Sequence, residues 1–194
     1  VLNFAIFQFV NINKISNKYF WNTIPDSNTY RLLGESFWNC GILALDCSSE
    51  SFLQWPLGQP MISGFLSIFF YPYAKYIYVL LFSFSIYLLL DLAYKKFGSY
   101  YHFGAFYFFL LPNNYELSSF IISEIPYIFF TAVGLFSLKN KKNNIALLIF
   151  IISFLIRPIG VVNLFGYFIY LLIKKDNKQI IKSLLVTMFV LTLI

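Results

Sequence analysis

The placement of charge constrains this chain more than any other feature. Between Lys75 and Asp91 no side chain carries a charge, and between Lys142 and Lys174 only Arg157 does. Apolar runs of this kind approach or reach the roughly 20 residues that a helix needs to cross a hydrocarbon core of about 30 Å. The chain has 194 residues, of which 59% are hydrophobic, 22% aromatic and 11% charged. A soluble domain of this length could not hide so much apolar surface. The expected fold is all-α: one transmembrane domain over residues 1–194, a multi-span bundle of about six to seven helices. The chain opens on Val1 and closes inside the apolar run 183–194, so it reads as a fragment with further spans beyond its C-terminus. No basic region precedes the first apolar stretch, so no cleavable signal peptide is expected.

The net charge of +6 raises the question of a nucleic-acid partner, and the positions answer it. Nine of the 14 basic residues fall in three clusters, at 95–96, 139–142 and 174–182. Asp26, Glu35, Asp46, Glu50, Glu116 and Glu124, six of the eight acids, lie in the two other polar regions. Lys and Arg gather in cytoplasmic loops, so the basic clusters are placed inside and the acidic regions outside. The positive charge orients the chain among membrane lipids, and no nucleic acid is expected to bind it. The expected location is the plasma (inner) membrane, with the acidic regions on the external, periplasmic side.

In chain order, residues 1–13 read as the end of a first span. Residues 14–57 form a long external loop bearing short interfacial helices, and 58–194 form the bundle. Residues 58–74 are apolar but short and bracketed by Pro60 and Pro72, so they either dip into the membrane or lie along it. Residues 76–93 form a clear span that ends at Lys95 and Lys96. Residues 97–111 return outward to a Leu-Pro-Asn-Asn turn, and 119–138 cross inward. Both flanks of 145–173 are basic, yet its 29 residues give only about 43 Å of helix, too little for two full crossings. The economical reading is two shortened helices that meet at Arg157-Pro158, because Pro158 ends one helix and can begin another. The alternative, a single long span, would leave one lysine cluster outside. Residues 183–194 then start another outward span.

Residues 25–44 are a polar island in this apolar chain. Asp26 and Ser27 suit a helix N-cap. Tyr30, Leu33 and Phe37 share one helical face, and Arg31, Glu35 and Asn39 lie on another. Such a helix suits a bilayer surface, which would stand Asp26 at the water–lipid boundary, where a carboxylate can meet a lipid-borne substrate.

Several chemistries are missing. One His and two Cys cannot build a zinc-type cluster, and there is no nucleotide-binding glycine pattern and no nucleophile elbow. Cys40 and Cys47 either pair in an oxidising compartment or are two small apolar residues. Three candidates remain, each with a plainer reading beside it. Asp26 is a candidate base or a helix cap. Glu124 is a candidate site acid or a first-turn acid favoured by the helix dipole. Arg157 is a snorkelling arginine, or a functional charge of the kind that an ionisable group midway through an apolar segment usually marks. His102, Asp91 and Asp176 read as ordinary loop residues, and the Tyr and Phe stripes as packing or lipid-facing residues.

The order of these motifs resembles the GT-C superfamily of integral-membrane glycosyltransferases, most closely the bacterial branch related to protein O-mannosyltransferases and lipid A aminoarabinose transferases. The first loop of that family carries an Asp-Ser-x-x-Tyr segment, matched by Asp26-Ser27-Asn28-Thr29-Tyr30, with Gly34 where Ala is frequent and Gly41 beyond. A Pro-Gly-x-Pro-like segment follows as Pro56-Leu57-Gly58-Gln59-Pro60, with Trp55 where Arg often precedes it. Pro112 and Ser123-Glu124 match the opening of a later span. Leu155-Ile156-Arg157-Pro158-Ile159-Gly160 matches a Leu-x-Arg-Pro-x-Gly element. The resemblance runs through essentially the whole chain in register, without the large C-terminal region of many members.

The resemblance implies transfer of a sugar from a polyprenyl-phosphate carrier to a lipid, glycan or protein acceptor on the external membrane face. Asp26 would be the general base. Glu124 would orient the acceptor or help hold a divalent cation, Mg or Mn. Arg157 would offset charge on the leaving phosphate, and Tyr30 and Arg31 would line the same pocket. Two other classes stay open: a non-enzymatic transporter or flippase of lipid-linked sugars, and an inactive truncated homologue. A transporter would more often carry mid-membrane charges on several helices and inverted repeats.

Overall fold

The computed structural model describes residues 2–22, 25–48, 56–100 and 122–192, and among these every regular element is a helix. In order they are α1 (Leu2–Asn13), α2 (Asn17–Asn22), α3 (Pro25–Cys40), α4 (Gly58–Phe70), α5 (Ala74–Phe97), α6 (Glu124–Lys139), α7 (Asn143–Ile156), α8 (Val161–Ile173) and α9 (Asn177–Thr192). Short 3-10 turns follow α5 at Gly98–Tyr100 and α7 at Pro158–Gly160. The outward return expected beyond Tyr100, with its turn at 111–114, lies outside the described residues.

Among the described residues only α5 is long and apolar enough to cross a membrane by length and composition. The helices at 58–70, 143–156 and 158–173 are apolar but shorter. α5 stops at Gly98, whose φ of +58° is a left-handed conformation that a Cβ would strain; its N–H caps the Tyr94 carbonyl.

Within the region expected to be a loop bearing short helices, the described residues 14–48 hold α2 and α3. Trp21 of α2 is fully buried and stacks on Tyr71. The Lys75 ammonium, itself buried, donates to the Ile15 carbonyl at 2.7 Å and fastens the turn after α1 to the start of α5. Ile12, Phe20, Trp21, Leu66, Tyr78, Val79 and Phe82 fill the core there. α3 lies across α4 where Gly34 meets Gly64. A Cβ on Gly34 would come within 2.6 Å of the Gly64 nitrogen, so the two backbones touch as in small-residue helix crossings.

α5 and α6 run parallel. Their first turns lie at one end of the bundle, and at the other end Asp91 bonds both Lys139 (2.9 Å) and Lys95 (3.0 Å). α6, α7 and α8 then fold back in succession. α6 and α8 both end in paired turn bonds, Lys142 N–H to Ser137 O with Lys141 N–H to Leu138 O, and Asp176 N–H to Leu171 O with Lys175 N–H to Leu172 O. Lys141 (φ +58°) and Lys175 (φ +56°) occupy the left-handed position where such caps usually hold glycine. The Gln179 amide donates to Asn144 Oδ1 at 2.8 Å, so the basic turns before α7 and before α9 lie at the same end. Segment 145–173 is thus two short helices that meet at Arg157, not one long one. Phe150 packs where Gly134 leaves room, and Asn163 of α8 reaches both Thr131 (2.8 Å) and Ser153 (3.1 Å), tying three helices together.

Candidate functional site

The site lies at the end of the bundle opposite the lysine turns. Pro25 starts α3, where its fixed φ suits the first turn. Asp26 follows in that turn and is exposed, while Ser27 is buried. Tyr30 lies one turn further along the same face and is only 5% exposed. Its hydroxyl hydrogen-bonds the Ser123 side chain, and its phenol lies within electrostatic reach of Asp26, Glu124 and Arg157. Burial holds this phenol above its ordinary value of 10, against the opposing pull of the Ser123 bond. It is neutral throughout the physiological range.

Ser123 stands at the N-cap of α6 but makes no cap bond with its side chain. Its hydroxyl turns instead toward Glu124 Oε2 at 3.5 Å. The other Glu124 oxygen, Oε1, accepts from Arg157 Nη1 at 2.7 Å. Arg157 is extended (φ −142°, ψ 132°), as the residue before a proline prefers, and its N–H closes the last bond of α7 to Ser153. The break therefore swings the guanidinium off the α7 axis toward the first turn of α6. Both members of this pair are about one-third exposed, so they remain open to a ligand.

Gly58 completes the enclosure. A Cβ there would lie 2.9 Å from the Ile156 nitrogen and the Leu155 carbonyl carbon, so segment 56–60 rests directly on the last turn of α7. Beside it Gln59 is fully buried and donates to Tyr78 Oη (2.8 Å) and Ser63 Oγ (3.1 Å). Tyr78 lies within electrostatic reach of Tyr30, which places this network beneath the site.

Asp26, Tyr30, Glu124 and Arg157 are thus gathered at one place. Arg31 is not among them. It pairs with Glu35 (3.1 Å) and Asn28 (3.0 Å), and Glu35 in turn accepts from Ser67 of α4. Tyr30 and Arg31 are adjacent, so they face about 100° apart on the helix: one looks to α6, the other to α4. Ser123 and Gln59 enter the sequence only as members of motifs, without a role, and Ser63 and Tyr78 only as polar groups inside apolar runs.

No group of three or more His, Cys, Asp or Glu occurs among the described residues, and Glu124 is already engaged by a guanidinium. Cys40 and Cys47 form a disulfide with Cα atoms 5.7 Å apart, closing the chain just after α3. No family model, curated protein or solved structure matches this chain.

Proposed function

We propose that this chain is a multi-pass membrane glycosyltransferase of the GT-C type, acting on the external face of the plasma (inner) membrane. One observation carries the proposal. Segments distant in sequence bring a solvent-facing carboxylate (Asp26), a neutral buried phenol (Tyr30) and a carboxylate-held guanidinium (Glu124–Arg157) to one end of a helical bundle. The exposed apolar surfaces of α5, α8 and α9, among them Leu80, Phe84, Phe165, Leu172, Leu185 and Phe189, support a lipid surround and a bundle of about six to seven helices.

In this reading the donor is a polyprenyl-phosphate sugar and the acceptor a lipid, glycan or protein hydroxyl. Asp26 takes the acceptor's proton as its oxygen attacks the anomeric carbon. The bond from that carbon to the phosphate oxygen breaks, and the carrier phosphate leaves with the electron pair. Arg157 offsets the charge that grows on this phosphate, held in place by Glu124, whose second oxygen faces Ser123. Tyr30 fixes the first turns of α3 against α6 and so sets Asp26 relative to Arg157. Asp26 is free for proton transfer because it is exposed, whereas Glu124 is not free because Arg157 occupies it.

The test is transfer of radiolabelled sugar from a panel of polyprenyl-phosphate sugars, in membranes holding wild type or Asp26→Asn. Label reaching an acceptor with wild type alone supports the reading. Equal label with both removes Asp26 from the mechanism. No label with any donor, from well-inserted protein, counts against glycosyl transfer and favours transport of lipid-linked sugars.

A further inference from the structure

The lysine end of the bundle carries a second feature, independent of the site above. A groove opens between the turn before α7 and the start of α9, lined by Lys141, Lys142, Asn143, Asn144, Ile145 and Gln179. It contains two cations and no acid. Its walls are fixed. Lys141 is locked in the left-handed conformation by the paired turn bonds that end α6, and Gln179 is anchored on both Asn144 Oδ1 (2.8 Å) and Tyr167 Oη (3.3 Å). At the head of α7 the Lys142 side chain offers no cap, so the first-turn amides add their partial positive charge to that of the two ammonium groups.

The surroundings of the groove distinguish between two sources of anion. From its rim an exposed apolar track descends along α7 through Ile145 and Leu148, and a second along α9 through Ile181, Leu184, Leu185 and Met188. A free phosphate has no use for these tracks. A phospholipid does, with its phosphate among the lysines and its acyl chains on the tracks. We infer that the groove between the α6–α7 turn and the head of α9 is a binding site for the headgroup of an anionic phospholipid, with Lys141 and Lys142 as its phosphate contacts.

The test is native mass spectrometry of the intact chain in detergent with added phosphatidylglycerol or phosphatidylcholine. Wild type should retain phosphatidylglycerol preferentially. The double variant Lys141→Gln/Lys142→Gln should lose that preference by about tenfold or more, since each lysine near a membrane contributes about 1 kcal/mol toward anionic lipid. Lys95→Gln/Lys96→Gln removes the same charge outside the groove and should keep the preference. Equal losses in the two double variants would overturn the site in favour of diffuse charge. Excess inorganic phosphate should leave the lipid bound; full displacement by phosphate alone would overturn the lipid assignment. A photoactivatable phosphatidylglycerol on wild type needs no variant to fold. Adducts should map to 141–148 and 178–188, and adducts confined elsewhere would refute the site.

Discussion

Arg157 Nη1 lies 2.7 Å from Glu124 Oε1, joining the break after α7 to the first turn of α6. The geometry separates what this pair does for folding from what it does for chemistry. Both side chains are about one-third exposed, and ion pairs so open to solvent contribute little to stability, well under about 1 kcal/mol. Arg157→Ala should therefore leave the melting temperature nearly unchanged. Transfer should fall on the order of 100-fold or more, the loss expected when a charge that stabilises a leaving group is removed. Thermal melts and kcat/KM on the same membranes check both halves.

Asp26→Asn should abolish transfer and leave α3 and membrane insertion intact. Asn starts helices as well as Asp does, while it cannot accept the acceptor's proton. Protease-protection patterns matching wild type, alongside lost transfer, are the expected outcome.

The raised phenol of Tyr30 makes a pH prediction. A group held above its unfolded value contributes stability that is fully present below that value and lost as pH rises through the higher folded one. Wild type should therefore keep this contribution up to about pH 10, the ordinary tyrosine value, and lose it above. Tyr30→Phe, with no proton to lose, should show a shallower alkaline loss. Melting temperature against pH for the two proteins is the measurement, and identical alkaline slopes would refute it.

Three glycines give contrasting outcomes. Gly34→Ala would drive a methyl into the α4 backbone beside Gly64 and should destabilise by about 1–3 kcal/mol. Gly58→Ala would push on the last turn of α7 and should lower transfer by displacing Arg157. Gly166→Ala meets nothing within 4 Å in the middle of α8 and should stabilise by about 0.5–1 kcal/mol. Thermal unfolding of the three variants ranks them.

The Cys40–Cys47 disulfide predicts that neither thiol reacts with a membrane-impermeant maleimide before reduction, and that both react after it in intact cells. Reaction without reductant would deny the bridge. Protection that persists after reduction would deny its external position.

The parts of this molecule legible from sequence are those governed by local rules. The apolar length of α5, the break at Arg157-Pro158, the polar start of α3 and the Arg31–Glu35 side of that helix all follow from spacing and from proline. What escaped the reading depends on contacts between distant segments. Ser123 acquires Tyr30 as a neighbour only when α3 packs beside α6. Gly34 and Gly64 show no periodic signature; only the crossing of α3 and α4 explains them. The short helices expected in the loop over 14–57 are α2 and α3, but the packing of Trp21 against Tyr71, 50 residues on, is in no window of local sequence. Arg31 stands one step of helical rotation from Tyr30 and pairs with Glu35 and Asn28.

α7 and α8 have 14 and 13 residues, or about 21 and 20 Å at 1.5 Å per residue. Both fall short of a hydrocarbon core of about 30 Å by roughly a third. On the proposed membrane reading, a bilayer around this pair would meet the mismatch by thinning locally, each ångström costing a fraction of a kcal/mol. The dimple would lower the headgroup plane toward Arg157 and let a carrier phosphate meet the guanidinium without leaving its own leaflet. Acyl-chain length then becomes a control on the site: membranes of short-chain lipids should favour it, and thick, long-chain membranes should starve it of substrate.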